Sequence, residues 1–132
     1  MGVIWCVFPL DDVMQDWLRD LEIPFPRKPS RLPTGAEIKR ALAELSGYQV
    51  QITENGLGAH WEADIVGPRG ADEDGWALLR ILKYAGEDQP QELYFEKGCE
   101  PIMVAILSRL TPVCGPLALL PDTGDPPSVI DG

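Results

Sequence analysis

Apolar and polar positions follow different rhythms along this chain, and each change of rhythm marks an element. Gly2 to Phe8 (GVIWCVF) is a continuous apolar run rich in β-formers, which predicts a buried strand closed by Pro9. The period then turns helical. Val13, Met14, Trp17, Leu18 and Leu21 fall on one face and Asp16, Arg19 and Asp20 on the other, with Asp11 or Asp12 placed to cap the first turn. Pro24, Pro26, Pro29 and Pro33 next forbid regular hydrogen-bonded structure and make a stiff, basic connector. Thr34-Gly-Ala-Glu37 matches a capping box and starts a second helix, whose buried stripe is Ile38, Ala41, Leu42 and Leu45. Gly47 stands where a left-handed residue after the helix is wanted.

Beyond Tyr48 the period drops to two. Tyr48, Val50 and Ile52 alternate with Gln49, Gln51 and Thr53, and after ENGLG the residues Trp61, Ala63 and Ile65 alternate with His60, Glu62 and Asp64, which is a β-hairpin. The loop GPRGADEDG leads into WALLRILKY, read as a third strand of the meander, with a helix as the alternative its length allows. After GEDQPQ comes a fourth, ELYFE. Gly98-Cys-Glu-Pro101 opens a third helix with an apolar face of Ile102, Met103, Ile106, Leu107 and Leu110, and Pro112 is expected to stop it. PLALL reads as a last buried strand, and the tail from Asp122 as loop with at most a brief strand at Ser128 to Ile130. The order β-α-α-β-β-β-β-α-β predicts one α+β domain over residues 1–132: a mainly antiparallel sheet of about five to six strands with three helices packed on one face.

Charge adds what periodicity cannot. Against 11 Lys and Arg stand 21 Asp and Glu, a net charge of −10. Direct nucleic-acid binding, which draws on Lys and Arg for the phosphates, is disfavoured, and a macromolecular partner is expected to be basic. The longest apolar run, Ile102 to Leu107, is far shorter than the roughly 20 residues that span a bilayer, so no membrane insertion is expected. Neither a secretory nor a myristoylation signal is read at the N-terminus, and three cysteines, Cys6, Cys99 and Cys114, form no CxxC pair. Reduced thiols in a cytoplasm are the simpler reading.

Candidate chemistry is sparse. Asp122-Thr123-Gly124 spells the aspartic-protease triplet, yet only eight residues follow Gly124, too few for the cleft and flap around a carboxylate pair. Turn chemistry is the better reading, with Asp122 bonding its own backbone ahead and Gly124 at positive φ. Cys99, at a predicted helix N-terminus, is the best single candidate for a reactive group, and a small enzyme or thiol protein centred on it is the alternative function. Glu96 and Glu100 would repel its thiolate, and a packed, inert thiol is expected. The spacing of the cysteines and His60 suits no zinc site, the glycine-rich loops lack phosphate-loop spacing, and Asp72-Glu-Asp74 lacks the ligands of an EF-hand, so no metal or cofactor is expected.

A surface remains. With Val50, Ile52, Trp61, Ala63, Ile65, Leu93 and Phe95 packed inward, alternation sends His60, Glu62, Asp64, Glu92, Tyr94 and Glu96 to the opposite sheet face, acidic with an aromatic centre. That face is either a solvated surface or a docking site for a basic partner. The most distinctive strings, LYFEKG and GPLALLPDTG, name no reaction. In its small size, acidity, α+β architecture and lack of a catalytic set, the whole chain resembles the immunity proteins of bacterial contact-dependent and polymorphic toxin systems. The resemblance implies stoichiometric binding of a cognate toxin, often a basic nuclease, with carboxylates standing where substrate phosphates would go. It implies no catalytic residue. A monomer or homodimer is expected.

Overall fold

The apolar N-terminal run becomes the strand on which the sheet is assembled. In the computed structural model, which describes residues 3–54, 61–70, 75–81 and 88–131, β1 (Trp5–Pro9) lies between two later strands. The remaining elements are α1 (Asp12–Asp20), α2 (Gly35–Ala43), β2 (Gln49–Glu54), β3 (Trp61–Val66), β4 (Trp76–Ile81), β5 (Leu93–Lys97), α3 (Glu100–Cys114), β6 (Leu117–Pro121) and β7 (Ser128–Ile130). The sheet order is β2-β3-β4-β5-β1-β6-β7, and every neighbouring pair is antiparallel. The α+β class holds, but the sheet has seven strands, not five to six: the brief stretch Ser128–Ile130 pairs with β6 in full register, Leu117 to Ile130 and Ala118 to Val129. WALLRILKY is a strand over Trp76–Ile81; Leu82, Lys83 and Tyr84 lie outside the described residues.

One face of the sheet, here the inner face, carries Val7, Trp61, Ala63, Ile65, Ala77, Leu79, Ile81, Leu93, Phe95, Leu117 and Leu119, all buried beneath Ile38, Ala41 and Leu42 of α2 and Ile102, Met103, Ile106, Leu107 and Leu110 of α3. Of the expected inward set, Val50 is half-buried and Ile52 is exposed, because β2 is an edge strand that the helices only partly cover.

The expectation that all helices share one face is corrected. Helix α1 packs on the outer face, where Met14 and Leu18 bury against Leu10 and Ala118, with Ile23, Phe25 and Val129 alongside. The reason lies in strand periodicity. PLALL is apolar at every position, and Ala118 points away from Leu117 and Leu119, so β6 has an apolar side to cover on both faces. The apolar arc of α1 is also narrower than its sequence suggests: Met14 and Leu18 are buried, whereas Val13, Trp17 and Leu21 form an exposed flank. Asp11 is the N-cap, its carboxylate accepting from the Met14 amide at 2.9 Å.

The proline-rich connector is a strap across one end of the sheet, carrying the chain from the outer face to the inner. Lys28 pairs with Asp131 just past β7 at 3.1 Å, the Ser30 hydroxyl accepts from the Leu10 amide and donates to the Pro116 carbonyl, and the Gln91 amide donates to the Pro33 carbonyl. It ends in the predicted capping box: the Glu37 amide donates to Thr34 Oγ1 at 3.1 Å, and Glu37 Oε1 accepts from the Thr34 amide at 2.9 Å. Arg31 grips the Glu37 carboxylate with both terminal nitrogens, at 2.8 and 2.9 Å. Helix α3 runs through Pro112 to Cys114, where a stop was expected. Proline there removes only the bond to the Ser108 carbonyl, which accepts from the Thr111 hydroxyl at 3.3 Å instead. The stop is Gly115, at φ +86°, where a Cβ would overlap the Pro29 carbonyl of the strap.

Two outcomes follow for stability. The hydrogen bonds from Arg31 hold the Glu37 carboxyl down at about 2, below its ordinary 4.5. A depressed carboxyl stabilises the fold above its unfolded pKa and loses that contribution as pH falls through the folded value. Urea midpoints of wild type and Glu37→Gln should therefore differ most at pH 6 and converge between pH 4.5 and 2, while Thr34→Ala costs about 1 kcal/mol at pH 7. Gly115→Ala, strained in φ and blocked by backbone, should cost about 3 kcal/mol in the same unfolding experiment.

Candidate functional site

The outer face divides in two. Helix α1 covers the β6–β7 half, and among the described residues no element covers the β2–β5 half. Alternation on β3 and β4 turns Glu62, Asp64, Trp76, Leu78 and Arg80 outward, and the pairing register lines the strands up so that Thr53, Glu62, Arg80, Tyr94, Cys6 and Leu120 form one transverse row across six strands. Of the residues expected on this face, Glu62, Asp64, Tyr94 and Glu96 are brought together, Glu92 is exposed just before β5, and His60 lies outside the described residues.

The face is not the bare acidic array that its carboxylates suggest, because Arg80 stands at its centre. Arg80 Nε donates to Glu62 Oε2 at 3.0 Å, directly across the β3–β4 pair, and Nη1 lies 3.3 Å from Glu96 Oε2. Glu96 reaches it from a β-bulge: Leu78 faces Lys97 while Leu79 faces Phe95, so Glu96 is the extra residue. A hydrogen bond to the Tyr94 hydroxyl, then those to Glu62 and the charge of Glu96, raise the guanidinium above its ordinary value. Asp64 is engaged as well, its Oδ1 accepting from the Trp76 indole at 3.1 Å. These side chains are about a third exposed, so each ion pair contributes at most about 1 kcal/mol to stability. Their consequence is order: Tyr94 and Trp76 are held in fixed positions by charged neighbours.

Sequence reasoning missed Arg80. Its signal was available, since period two on WALLR places Trp76, Leu78 and Arg80 together on the side opposite Ala77 and Leu79. It also missed the apolar component. Phe8, Val13, Trp17, Leu21 and Trp76 are five of the seven exposed large apolar side chains among the described residues, Ile52 and Val113 being the others, and all five lie on the outer side of the sheet.

A cleft of about 670 Å³ lies elsewhere, between the strap and the end of α3, lined by Lys28, Ser30, Arg31, Thr111, Cys114 and Asp131 among others. Its cations are already paired, Lys28 with Asp131 and Arg31 with Glu37. It is the seam of the strap rather than a charged receptor. Asp122, the aspartate of the protease-like triplet, does not bond its own backbone ahead as expected; it pairs with the residue just before β1, accepting from the Ile4 amide at 3.1 Å while its own amide donates to the Ile4 carbonyl at 2.9 Å. Thr123 and Asp125 make the local turn, with Gly124 at φ +91°.

Cys6, Cys99 and Cys114 form no disulfide. Cys99 is the N-cap of α3, as expected, but its side chain makes no capping hydrogen bond; it is half-buried against the main core, so close to Gly75 that a Cβ there would overlap its sulfur. Burial, then the negative Asp122, raises the Cys6 thiol, and burial pushes Cys114 up to about 11. Among the described residues no group of three or more His, Cys, Asp or Glu is placed to hold a metal, and no helix is long and apolar enough to cross a membrane. No protein-family model matches the chain, and neither a curated protein nor a solved structure matches it.

In a Cys6→Ser, Cys99→Ser variant, Cys114 should stay unlabelled by a thiol reagent at pH 9 in the folded protein and react at once in denaturant, because a thiol raised to about 11 supplies almost no thiolate there.

Proposed function

We propose that this chain is a non-enzymatic, cytoplasmic protein-binding protein of the immunity type, which neutralises a basic partner such as a toxin by covering it with the outer side of its sheet. The observation that carries this reading is the concentration of exposed aromatic and aliphatic side chains on the side that also bears Glu62, Asp64, Tyr94 and Glu96. A face that served only to keep the protein in solution has no use for Trp76, Trp17 and Phe8, whereas a docking face does, since buried aromatics supply most of the energy of an interface. Charge supplies the direction. With a net charge of −10 the molecule draws a basic partner over long range. The local network serves the bound state, because Glu62, Arg80 and Glu96 are already ordered and lose little freedom on contact.

The direct trial mixes the chain with the product of a neighbouring toxin-like gene and reads co-elution and protection from the toxin. A one-to-one complex is expected. Trp76→Ala and Tyr94→Ala should each weaken it by roughly ten- to a hundredfold, as central aromatics do, and Val113→Ser, on the other side of the molecule, should leave it unchanged. A pair showing neither binding nor protection ends this reading.

A further inference from the structure

We propose that the outer helical layer of this protein is half built, and that the partner completes it by laying an amphipathic helix, basic along its polar edges, beside α1 on the open half of the sheet. This rests on the protein-binding reading and names its surface and the chemistry of the partner.

The geometry points to a step with a wall and a floor. Helix α1 covers only the strip of sheet at Ala118 and Val129. On one of its flanks Arg19 lies over the Phe25 ring at 5.5 Å, and the chain returns past that side to Lys28 beside β7. The other flank is the row Val13, Trp17, Leu21, spaced i, i+4, i+8 and exposed by 78%, 39% and 42%. Such spacing makes a straight apolar edge along a helix. The floor beside it holds Phe8 of β1, Tyr94 of β5 and Leu78 and Trp76 of β4. From β1 to β3 is three strand spacings, roughly 14 Å, and a helix with its side chains is about 10 Å across. The floor takes one helix.

Charge selects the occupant. Asp12, Asp16 and Asp20 border the wall and Glu62, Asp64 and Glu96 the floor, and Arg80, the floor's cation among the described side chains, is already engaged by two carboxylates. A second copy of this chain would bring like charge against like. A helix with an apolar stripe flanked by Lys or Arg meets both the wall and its border.

The test titrates the full chain with an 18-residue helical peptide of Leu and Lys in amphipathic order, and with its Leu and Glu counterpart, reading tryptophan fluorescence, induced helicity and stoichiometry. The Lys peptide should bind one to one and become helical, and the Glu peptide should not bind. Val13→Ser with Leu21→Ser, which leaves charge and core untouched, should weaken binding at least tenfold, Trp76→Ala should do likewise, and Val113→Ser should change nothing. If the wall variant binds as wild type while Trp76→Ala weakens binding, the helix-beside-α1 arrangement is overturned and the sheet-face reading stands. If neither variant matters, both fall. Equal binding of the Glu peptide overturns the choice of a basic helix, and a dimer of this chain that the wall variant dissociates would make the occupant a second copy.

Discussion

The whole sheet depends on β1 being paired along both edges. Trp5 and Cys6 face Phe95 and Tyr94 of β5, and Trp5 to Pro9 face Pro121 to Leu117 of β6. Without that strand the meander β2–β5 and the hairpin β6–β7 share no backbone hydrogen bonds. The closure joins the first residues of the chain to nearly the last, at a large cost in loop entropy, and it is fastened at both ends. Asp122 and Ile4 exchange two hydrogen bonds at one end, and Ser30 bridges Leu10 and Pro116 at the other.

From this central position follows the division of the outer face. Because β1 leads directly into α1, the helix can reach only the neighbouring β6–β7 strip before the prolines carry the chain over the sheet end. The strap then delivers α2 to the inner face, where α3 also lies, and none of the described residues that follow covers β3, β4 and β5 from outside. The open half is thus a product of chain order. What occupies it is a cross-strand row in which Arg80 gathers Glu62, Glu96 and Tyr94, beside Trp76 held by Asp64.

The proposed reading takes this arrangement as one for recognition. Glu62 and Glu96 share a single guanidinium, that of Arg80, on an exposed face, and Asp64 accepts from the Trp76 indole. Cys6 and Cys114 are pushed away from the thiolate form by burial, and Cys99 is held against Gly75 and the core. On that reading, the aromatic and charged groups of the exposed sheet hold another surface.

Much of this was legible in the chain because it is local. Two-residue alternation found the β2–β3 hairpin and sent Glu62, Asp64, Tyr94 and Glu96 to one side, and the Thr34–Glu37 spacing located the start of α2 to the residue. Three things were decided only by tertiary contact. A continuous apolar run such as PLALL announces burial on both faces but not which helix supplies the second cover, so α1 was assigned to the wrong side. The exposed flank of α1 depends on how wide a strip of sheet lies beneath it. The pairing of Arg80 with Glu62 depends on which strand is its neighbour, since an ion pair between residues eighteen apart is fixed by sheet register. The sequence by itself determined the elements and the inward or outward sense of each strand residue, because backbone periodicity is set by neighbours along the chain. The tertiary structure decided which half of the outer face stayed open and which charges met there, because strand order and helix placement are settled by burial between distant segments.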